Sequence, residues 1–154
     1  MQNLERLDVF VPTNRVSRNG RRLGMDGLND IVRMSRGNKY AAAKRKDENE
    51  AWIAARVSEA MRDSGWVAWD GLTTVVLRFV EPDMRRDDDN VFAGAKFFLD
   101  ALCMPGVSGG RVVHKNGCSA VRDDDPAHVC LVTRRAPVDR LNPGVWVSLI
   151  RRRQ

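Results

Sequence analysis

The sequence contains no long hydrophobic run and no recognisable targeting segment. No apolar stretch approaches the roughly 20 residues that a bilayer-spanning helix needs. The opening residues, MQNLERLDVF, lack the basic-then-apolar layout of a signal peptide. The glycine pattern of a phosphate-binding P-loop is missing as well, which argues against enzymes that use that motif on nucleoside triphosphates. We therefore expect a cytoplasmic protein with no membrane partner.

Cysteine is scarce, and its spacing is uninformative. The three cysteines, Cys103, Cys118 and Cys130, form neither an even set for disulfides nor a CxxC pair. We expect buried, reduced thiols. A zinc site that combines them with His114 and His128 is the alternative, but this spacing matches no common zinc motif, so the sequence does not predict one.

Positive charge is in excess, although the total charged content is ordinary. The 154 residues are enough for one domain with a real core, and 43% of them are hydrophobic. The formal net charge is +6 at pH 7. A basic chain favours an acidic partner, and nucleic acid is the first candidate.

The pattern along the chain predicts an α/β (α+β) fold in a single domain that spans residues 1–154. Apolar alternation and β-branched residues predict strands, and an alanine-, lysine- and glutamate-rich stretch predicts a long helix. Residues 13–37 are expected to be irregular, basic and mobile, with one short helix, and residues 104–117 are expected to form a loop. The predicted elements are strand 6–12, helix 28–34, helix 38–64, strand 72–82, helix 88–102, strand 128–135 and strand 145–153. This order predicts a mixed β-sheet flanked by helices.

Two aspartate triplets are the most unusual feature of this basic chain. RRDDDN covers residues 85–90, and VRDDDPAH covers residues 121–128. Winding residues 88–102 onto one helix collects Val91, Phe92, Ala95, Phe98, Leu99 and Leu102 into an apolar stripe. Asp89, Lys96 and Asp100 then lie on the opposite, exposed face.

The triplets have two competing interpretations. Solvated loops and helix caps are the simpler one, with Asp88 as a cap and Lys96–Asp100 as an ordinary exposed pair. A divalent metal site is the other, because three adjacent carboxylates repel one another unless a cation relieves them. Mg²⁺ prefers carboxylate oxygens and needs only two or three of them. Asp87 and Asp89 could supply two, and residues 123–125 could supply a third.

These residues resemble the RusA-type Holliday junction resolvases, a family common in prophages. The likeness rests on RRDDDNVFAGAKFFLDAL followed by DDDPAHV, and it extends weakly over most of residues 8–135. It implies a RusA-like fold and a Mg²⁺-dependent endodeoxyribonuclease, with Mn²⁺ as a possible substitute and no small-molecule cofactor. It also implies a homodimer that nicks branched DNA, the four-way junction, symmetrically during recombination and repair in a bacterial or phage-infected cell. The residues that match the family's catalytic positions are Asp87, Asp89, Lys96 and Asp124, and the aspartates among them match its metal ligands. Asp123 is the alternative to Asp124.

The basic residues predict a surface for DNA phosphates, since a junction is recognised by shape. The predicted DNA-binding residues are Arg15, Arg18, Arg21, Arg22, Lys39, Lys44, Lys46, Arg85 and Arg86. Two other functions remain open. One is a junction- or DNA-structure-binding protein without nuclease activity, and the other is a metal-dependent phosphoryl-transfer enzyme that acts on nucleotides.

Overall fold

A computed structural model describes the backbone of residues 3–153 and the side chains of residues 5–152. The strands are β1 (Asn3–Pro12), β2 (Thr73–Val80), β3 (Gly106–Ser108), β4 (Arg111–Val113), β5 (Val129–Arg135) and β6 (Gly144–Arg153). The helices are α1 (Leu28–Arg36), α2 (Lys39–Ser64), α3 (Asp88–Phe92) and α4 (Ala95–Leu102). Each predicted strand is present, and each predicted helix is present except that residues 88–102 form two helices instead of one. The predicted α/β class and mixed sheet are confirmed. Within residues 3–153, no helix has the length and hydropathy needed to span a bilayer.

The main sheet has four strands in the order β1-β6-β2-β5. β6 runs antiparallel to both of its neighbours, and β2 and β5 are parallel. A parallel pair needs a crossover connection, and here α3 and α4 make it. They leave the carboxyl end of β2 and return to the amino end of β5. This crossover decides where the two aspartate triplets lie.

The core lies between one face of the sheet and the helices α2 and α4. Val75, Leu77 and Phe79 of β2 are buried, while the residues between them are half-buried, as expected for a strand with one face on the core. Ile53 and Val57 of α2 belong to the same core cluster, and both are fully buried. The apolar stripe predicted for residues 88–102 also belongs to this core: Val91, Ala95, Phe98 and Leu102 are buried, and Phe92 and Leu99 pack partly against it.

The predicted single helix over residues 88–102 is interrupted. Residues 93–94 form a turn between α3 and α4, where amide-to-carbonyl hydrogen bonds span three residues, from Gly94 to Val91 and from Phe97 to Gly94. A three-residue spacing is tighter than the α-helix and rotates the chain relative to an ideal winding. The angular positions predicted across this break are therefore wrong in detail.

Two segments predicted as irregular are more ordered than expected. Residues 24–27 are buried, which corrects the expectation that residues 13–37 are mobile throughout. The predicted loop at 104–117 contains the hairpin β3–β4. Its turn residues, Gly109 and Gly110, have φ of 56° and 77°. Two consecutive positive φ values suit a tight hairpin turn, and glycine adopts them without steric cost.

Candidate functional site

The first aspartate triplet lies at the start of α3, near the carboxyl ends of β2 and β5. The Asp87 carboxylate accepts a hydrogen bond from the Asn90 amide at 3.0 Å, so Asp87 is the N-cap of α3. Asp88 was predicted as the cap, and the structure corrects this: its carboxylate pairs with Arg135 at 2.5 Å. Asp89 is exposed, and its side chain has no hydrogen bond or ion pair with any other described residue.

The second triplet lies at the other end of the domain, in the loop that precedes β5. The Asp125 carbonyl accepts a hydrogen bond from the amide of Val129, the first residue of β5. Asp123 and Asp124 come just before it, close to the end of α4. Lys96 lies at the start of α4, and its side chain is directed toward this end: its Nζ lies 3.8 Å from Asp100, which in turn contacts His114 near Asp124.

The four predicted catalytic residues therefore form two groups in one chain. Asp87 and Asp89 adjoin the carboxyl end of β5, whereas Asp124 adjoins its amino end. β5 has seven residues, which at about 3.3 Å each separates its two ends by roughly 20 Å. One cation cannot bridge that distance. The helical winding showed which side chains share a face but did not show that α3 and α4 carry the chain back along the sheet.

Asp87 and Asp89, without Asp88, form what we call the Asp87–Asp89 group. This group fits a hard cation only in part. Both side chains offer carboxylate oxygens, the ligand type that Mg²⁺ prefers. One oxygen of Asp87 is already used by the N-cap, and Asp89 is free to turn toward an ion. Two carboxylates can hold Mg²⁺ together with waters and a phosphate oxygen, so this group could form half of a magnesium site.

Asp124 lies in a mixed group of potential metal ligands. One ligand atom from each of Cys103, His114, Asp123 and Asp124 lies within 4.8 Å of the other three. Burial, together with the nearby Asp124 and Asp123 carboxylates, raises the pKa of the Cys103 thiol to about 12. Burial and a hydrogen bond with Asp123 also raise the pKa of Asp124. A zinc site with Cys103 and His114 was not predicted, because the spacing of the cysteines and histidines in the sequence matches no common zinc motif. The proximity of Cys103 and His114 depends on the fold of residues 103–124.

The three thiols differ in environment. Cys103 is buried as expected, Cys118 is half-buried, and Cys130 is exposed, which corrects the expectation of buried thiols at that position. Burial raises the pKa of the Cys118 thiol to about 11. All three are free.

Several predicted DNA-binding arginines surround an open cleft. The cleft has a volume of about 600 Å³ and is lined by Arg21, Arg22, Arg85 and Arg140. Arg85 precedes Asp87 by two residues in the chain, although Asp87 and Asp89 themselves do not line the cleft. Arg18 is exposed in the same segment. Arg140 was not singled out in the sequence, because its loop is distant in the chain and carries no pattern.

Two of the predicted DNA-binding arginines are committed to internal ion pairs. Arg86 donates to Glu81 at 2.7 and 3.0 Å and to the Met25 carbonyl at 2.9 Å. Arg15 contacts the buried Asp26 at 3.1 Å. These guanidinium groups hold the segment before α1 against the sheet, so the geometry assigns them a structural role.

A second cleft lies beside the Asp124 group. It has a volume of about 390 Å³, and its lining includes Lys46, Lys96, Lys115, Glu50, Asp100 and His114. Asp100 was expected on an exposed face, but it is buried and contacts Lys46, Lys96 and His114. The remaining predicted DNA-binding lysines, Lys39 and Lys44, are exposed at the start of α2.

Glu50 was missed in the sequence and is the least satisfied carboxylate in this region. It is 3% exposed, and its Oε1 atom has no hydrogen-bond partner. Burial raises the pKa of Glu50, and the nearby Lys46 charge opposes this only in part. Glu50 lies in the middle of α2 with an ordinary helical sequence around it, so no sequence signal could have identified it.

The chain was compared with protein-family models, curated proteins and solved structures, and none of them matches it.

Proposed function

We propose that this protein is a Mg²⁺-dependent DNA endonuclease that nicks four-way junctions and acts as a homodimer. The observation that carries the proposal is that Asp87 and Asp89 are exposed and follow closely in the chain after Arg85, which lines a cleft together with other arginines. This arrangement supports the chemistry that the resemblance to RusA-type resolvases implies. Hard oxygen ligands would follow closely in the chain after an arginine of a surface suited to a phosphate backbone.

The roles of the chain's own residues follow from their positions. Arg21, Arg22 and Arg85 would hold the DNA backbone, since guanidinium groups contact phosphates in a bidentate manner. Asp87 and Asp89 would hold Mg²⁺, which when bound orients water and stabilises the charge that develops on the phosphate. Lys96, which is 72% exposed, is free to contact a phosphate oxygen beyond its ion pair with Asp100.

The separation of the two acid groups supports a homodimer with composite sites. In a two-fold symmetric pair, a patch on one copy can meet a different patch on the other, and the contact then occurs twice. Such a pair would place Asp87 and Asp89 of one chain beside the partner subunit's Asp124 and Lys96. Two equivalent sites would result, as paired nicks in a junction require.

A junction-cleavage assay tests the activity. We expect the wild-type protein to nick a labelled four-way junction with Mg²⁺ but not after chelation. Asp89→Asn should abolish nicking while junction binding is largely retained. Asp88→Asn is the matched control, because Asp88 pairs with Arg135 and should be dispensable for the chemistry. Equal nicking by the wild type and Asp89→Asn would refute the proposal.

Complementation tests the composite site. Asp89→Asn and Asp124→Asn chains, each inactive alone, can be co-expressed with different tags and purified as heterodimers. One of the two sites would then be intact, and we expect about half of the wild-type nicking rate. A control heterodimer pairs an Asp89→Asn chain with a chain that carries both Asp89→Asn and Asp124→Asn. It has no intact site and should be inactive. If the first heterodimer is inactive as well, the acids do not act across two chains.

A DNA-structure-binding protein without nuclease activity is the second candidate. The separation of Asp87 and Asp89 from Asp124 favours it if the chain works as a monomer. Both candidates use the arginine cleft, so both predict that junction binding weakens with salt. The slope of log K, the binding constant, against log salt concentration should be about −0.9 for each phosphate that the protein neutralises. Measured binding without any Mg²⁺-dependent nicking would select this candidate over the nuclease.

A further inference from the structure

The strongest unassigned feature is the mixed group of ligands at the end of α4. Cys103, His114, Asp123 and Asp124 each place one ligand atom within 4.8 Å of the others. A tetrahedral ion with bonds of about 2.0 to 2.3 Å has ligand atoms about 3.3 to 3.8 Å apart. The four side chains therefore need only small rotations to surround one ion.

Cys103 provides an independent indication of a ligand. Its side chain is fully buried, and its thiol has no hydrogen bond to any described residue. A buried thiol in an apolar core needs no partner, but this one faces two carboxylates and an imidazole. A buried thiol with only a packing role is expected among apolar side chains. The three polar groups around the Cys103 thiol suit a metal ligand instead.

His114 is already oriented for ligation. Its Nδ1 atom lies 3.5 Å from Oδ1 of the buried Asp100. Metal-binding histidines commonly direct one ring nitrogen to a carboxylate, which orients the ring and leaves the other nitrogen for the metal. Here Nε2 is the nitrogen that remains. Lys46 and Lys96 also contact Asp100, at 3.8 Å each, and hold this carboxylate in place.

The backbone holds the ligand-bearing segments against one another. The residues that follow His114 return to the end of α4 through hydrogen bonds from the amides of Cys118, Ser119 and Ala120 to the carbonyls of Ala101, Cys103 and Leu102. Asp123 and Asp124 follow directly. The fold thus brings ligands from three separate parts of the chain to one point before any ion arrives.

The ligand set selects the type of ion. A cysteine thiolate and an imidazole suit Zn²⁺, which binds four ligands of this kind tetrahedrally, whereas Mg²⁺ requires oxygen ligands. We propose that Cys103, His114, Asp123 and Asp124 form a Zn²⁺ site that fastens residues 103–124 to the end of α4. On binding, the Cys103 S–H bond breaks as the S–Zn bond forms, and the proton passes to solvent.

This zinc site is distinct from the magnesium chemistry proposed above, although Asp124 belongs to both. Zinc takes one oxygen of each carboxylate, so the second oxygen of Asp124 remains for the nuclease site. Cys103 and His114 belong to the zinc site alone, and Asp87 and Asp89 belong to the nuclease proposal alone. The two proposals can therefore fail independently.

Cobalt substitution provides the test. The reduced full-length protein is stripped with a chelator and titrated with Co²⁺, whose thiolate charge-transfer band reports a Co–S bond. We expect one Co²⁺ per chain, displacement by Zn²⁺, no displacement by excess Mg²⁺, and a Zn²⁺-dependent rise in Tm. Cys103→Ser should lose the band, and His114→Ala should weaken Zn²⁺ binding by more than the roughly 10- to 100-fold typical of an outer-shell change.

The matched controls are Cys130→Ser and His128→Ala, which alter the same residue types outside the group and should bind Co²⁺ like the wild type. Circular dichroism confirms that each variant is folded, and His114→Ala keeps the test decisive if Cys103→Ser does not fold. Absence of the band in the wild type, or its survival in both Cys103→Ser and His114→Ala, would overturn the zinc site. Asp89→Asn should bind Co²⁺ normally while it loses nicking.

Discussion

Replacing Arg86 by glutamine is expected to destabilise the fold strongly, whereas the same change at the neighbouring Arg85 should alter DNA binding instead. The sequence treats the two arginines of RRDDDN alike. In the structure, the side chain of Arg86 is 21% exposed and that of Arg85 is 79% exposed. Arg86 forms a bidentate pair with Glu81, while the ion pair of Arg85 is exposed and long, at 3.7 Å from Asp83.

The loss of stability in Arg86→Gln depends on the Glu81 carboxylate, which loses its partner. The Glu81 side chain is 5% exposed, so Arg86→Gln leaves a buried carboxylate without its counter-ion. Breaking such a pair costs about 3 to 5 kcal/mol. We expect a loss of about 3 kcal/mol for Arg86→Gln.

Urea denaturation followed by tryptophan fluorescence measures this loss. With m between about 1 and 3 kcal/mol per M, the midpoint of Arg86→Gln should fall by about 1 to 3 M. Arg85→Gln should remain within about 0.5 kcal/mol of the wild type. Its junction affinity should fall, and its salt slope should decrease by about 0.9, because one phosphate contact is lost.

Two results would contradict this reasoning. One is an Arg86→Gln protein whose free energy of unfolding lies within about 1 kcal/mol of the wild-type value, which is well below the expected cost of a broken buried pair. The other is an Arg85→Gln protein whose junction affinity and salt slope are unchanged. The first would mean that Glu81 is not held by Arg86, and the second that Arg85 does not contact DNA.

Three further predictions concern single positions. Asp87→Ala should lower stability by about 1 kcal/mol through loss of the N-cap, whereas Asp87→Asn should keep the cap and lose only nicking, as thermal unfolding and the junction assay can show. Gly117→Ala should lower Tm by several degrees because its Cβ would lie 2.0 Å from the Cys103 carbonyl oxygen, while Gly106→Ala, with nothing within 4 Å, should not. Burial opposes ionisation of Asp26, but hydrogen bonds and nearby arginine charges outweigh burial and lower the pKa of Asp26. The ionised Asp26 therefore stabilises the fold above about pH 4, and this contribution is lost as the pH falls through the pKa of the folded state. Asp26→Asn should therefore be less stable at pH 7 and show a shallower acid unfolding limb, and a limb identical to that of the wild type would count against the buried network.

The order and type of the main elements could be predicted from the sequence because they depend on local patterns. The alternation in residues 72–82 and the uninterrupted helix formers before Ser64 are both readable within one window of the chain. The apolar stripe from Val91 to Leu102 was likewise predictable, since burial of a helix face follows from residue spacing even across the turn at residues 93–94. The exposed site of Asp89 also follows from this local pattern.

Long-range contacts were not predictable in the same way. No local signal distinguishes Arg86 from Arg85, and the difference arises because Glu81 and Met25 approach only one of them. Asp100 was expected to be exposed, but it is buried, and His114, from the segment that follows α4, lies 3.5 Å from its carboxylate.

The sequence by itself determined which residue types are present for the proposed chemistry: paired aspartates, a lysine and an excess of arginine. Only the tertiary structure decided how they are grouped. The parallel pairing of β2 and β5 requires a crossover that carries the chain back along the sheet, and this crossover places Asp87 and Asp89 roughly 20 Å from Asp124. The same return brings Cys103 and His114 together, although eleven positions separate them in the sequence. Spacing along a chain reports neighbours within one element, whereas a site built from several elements depends on how those elements pack.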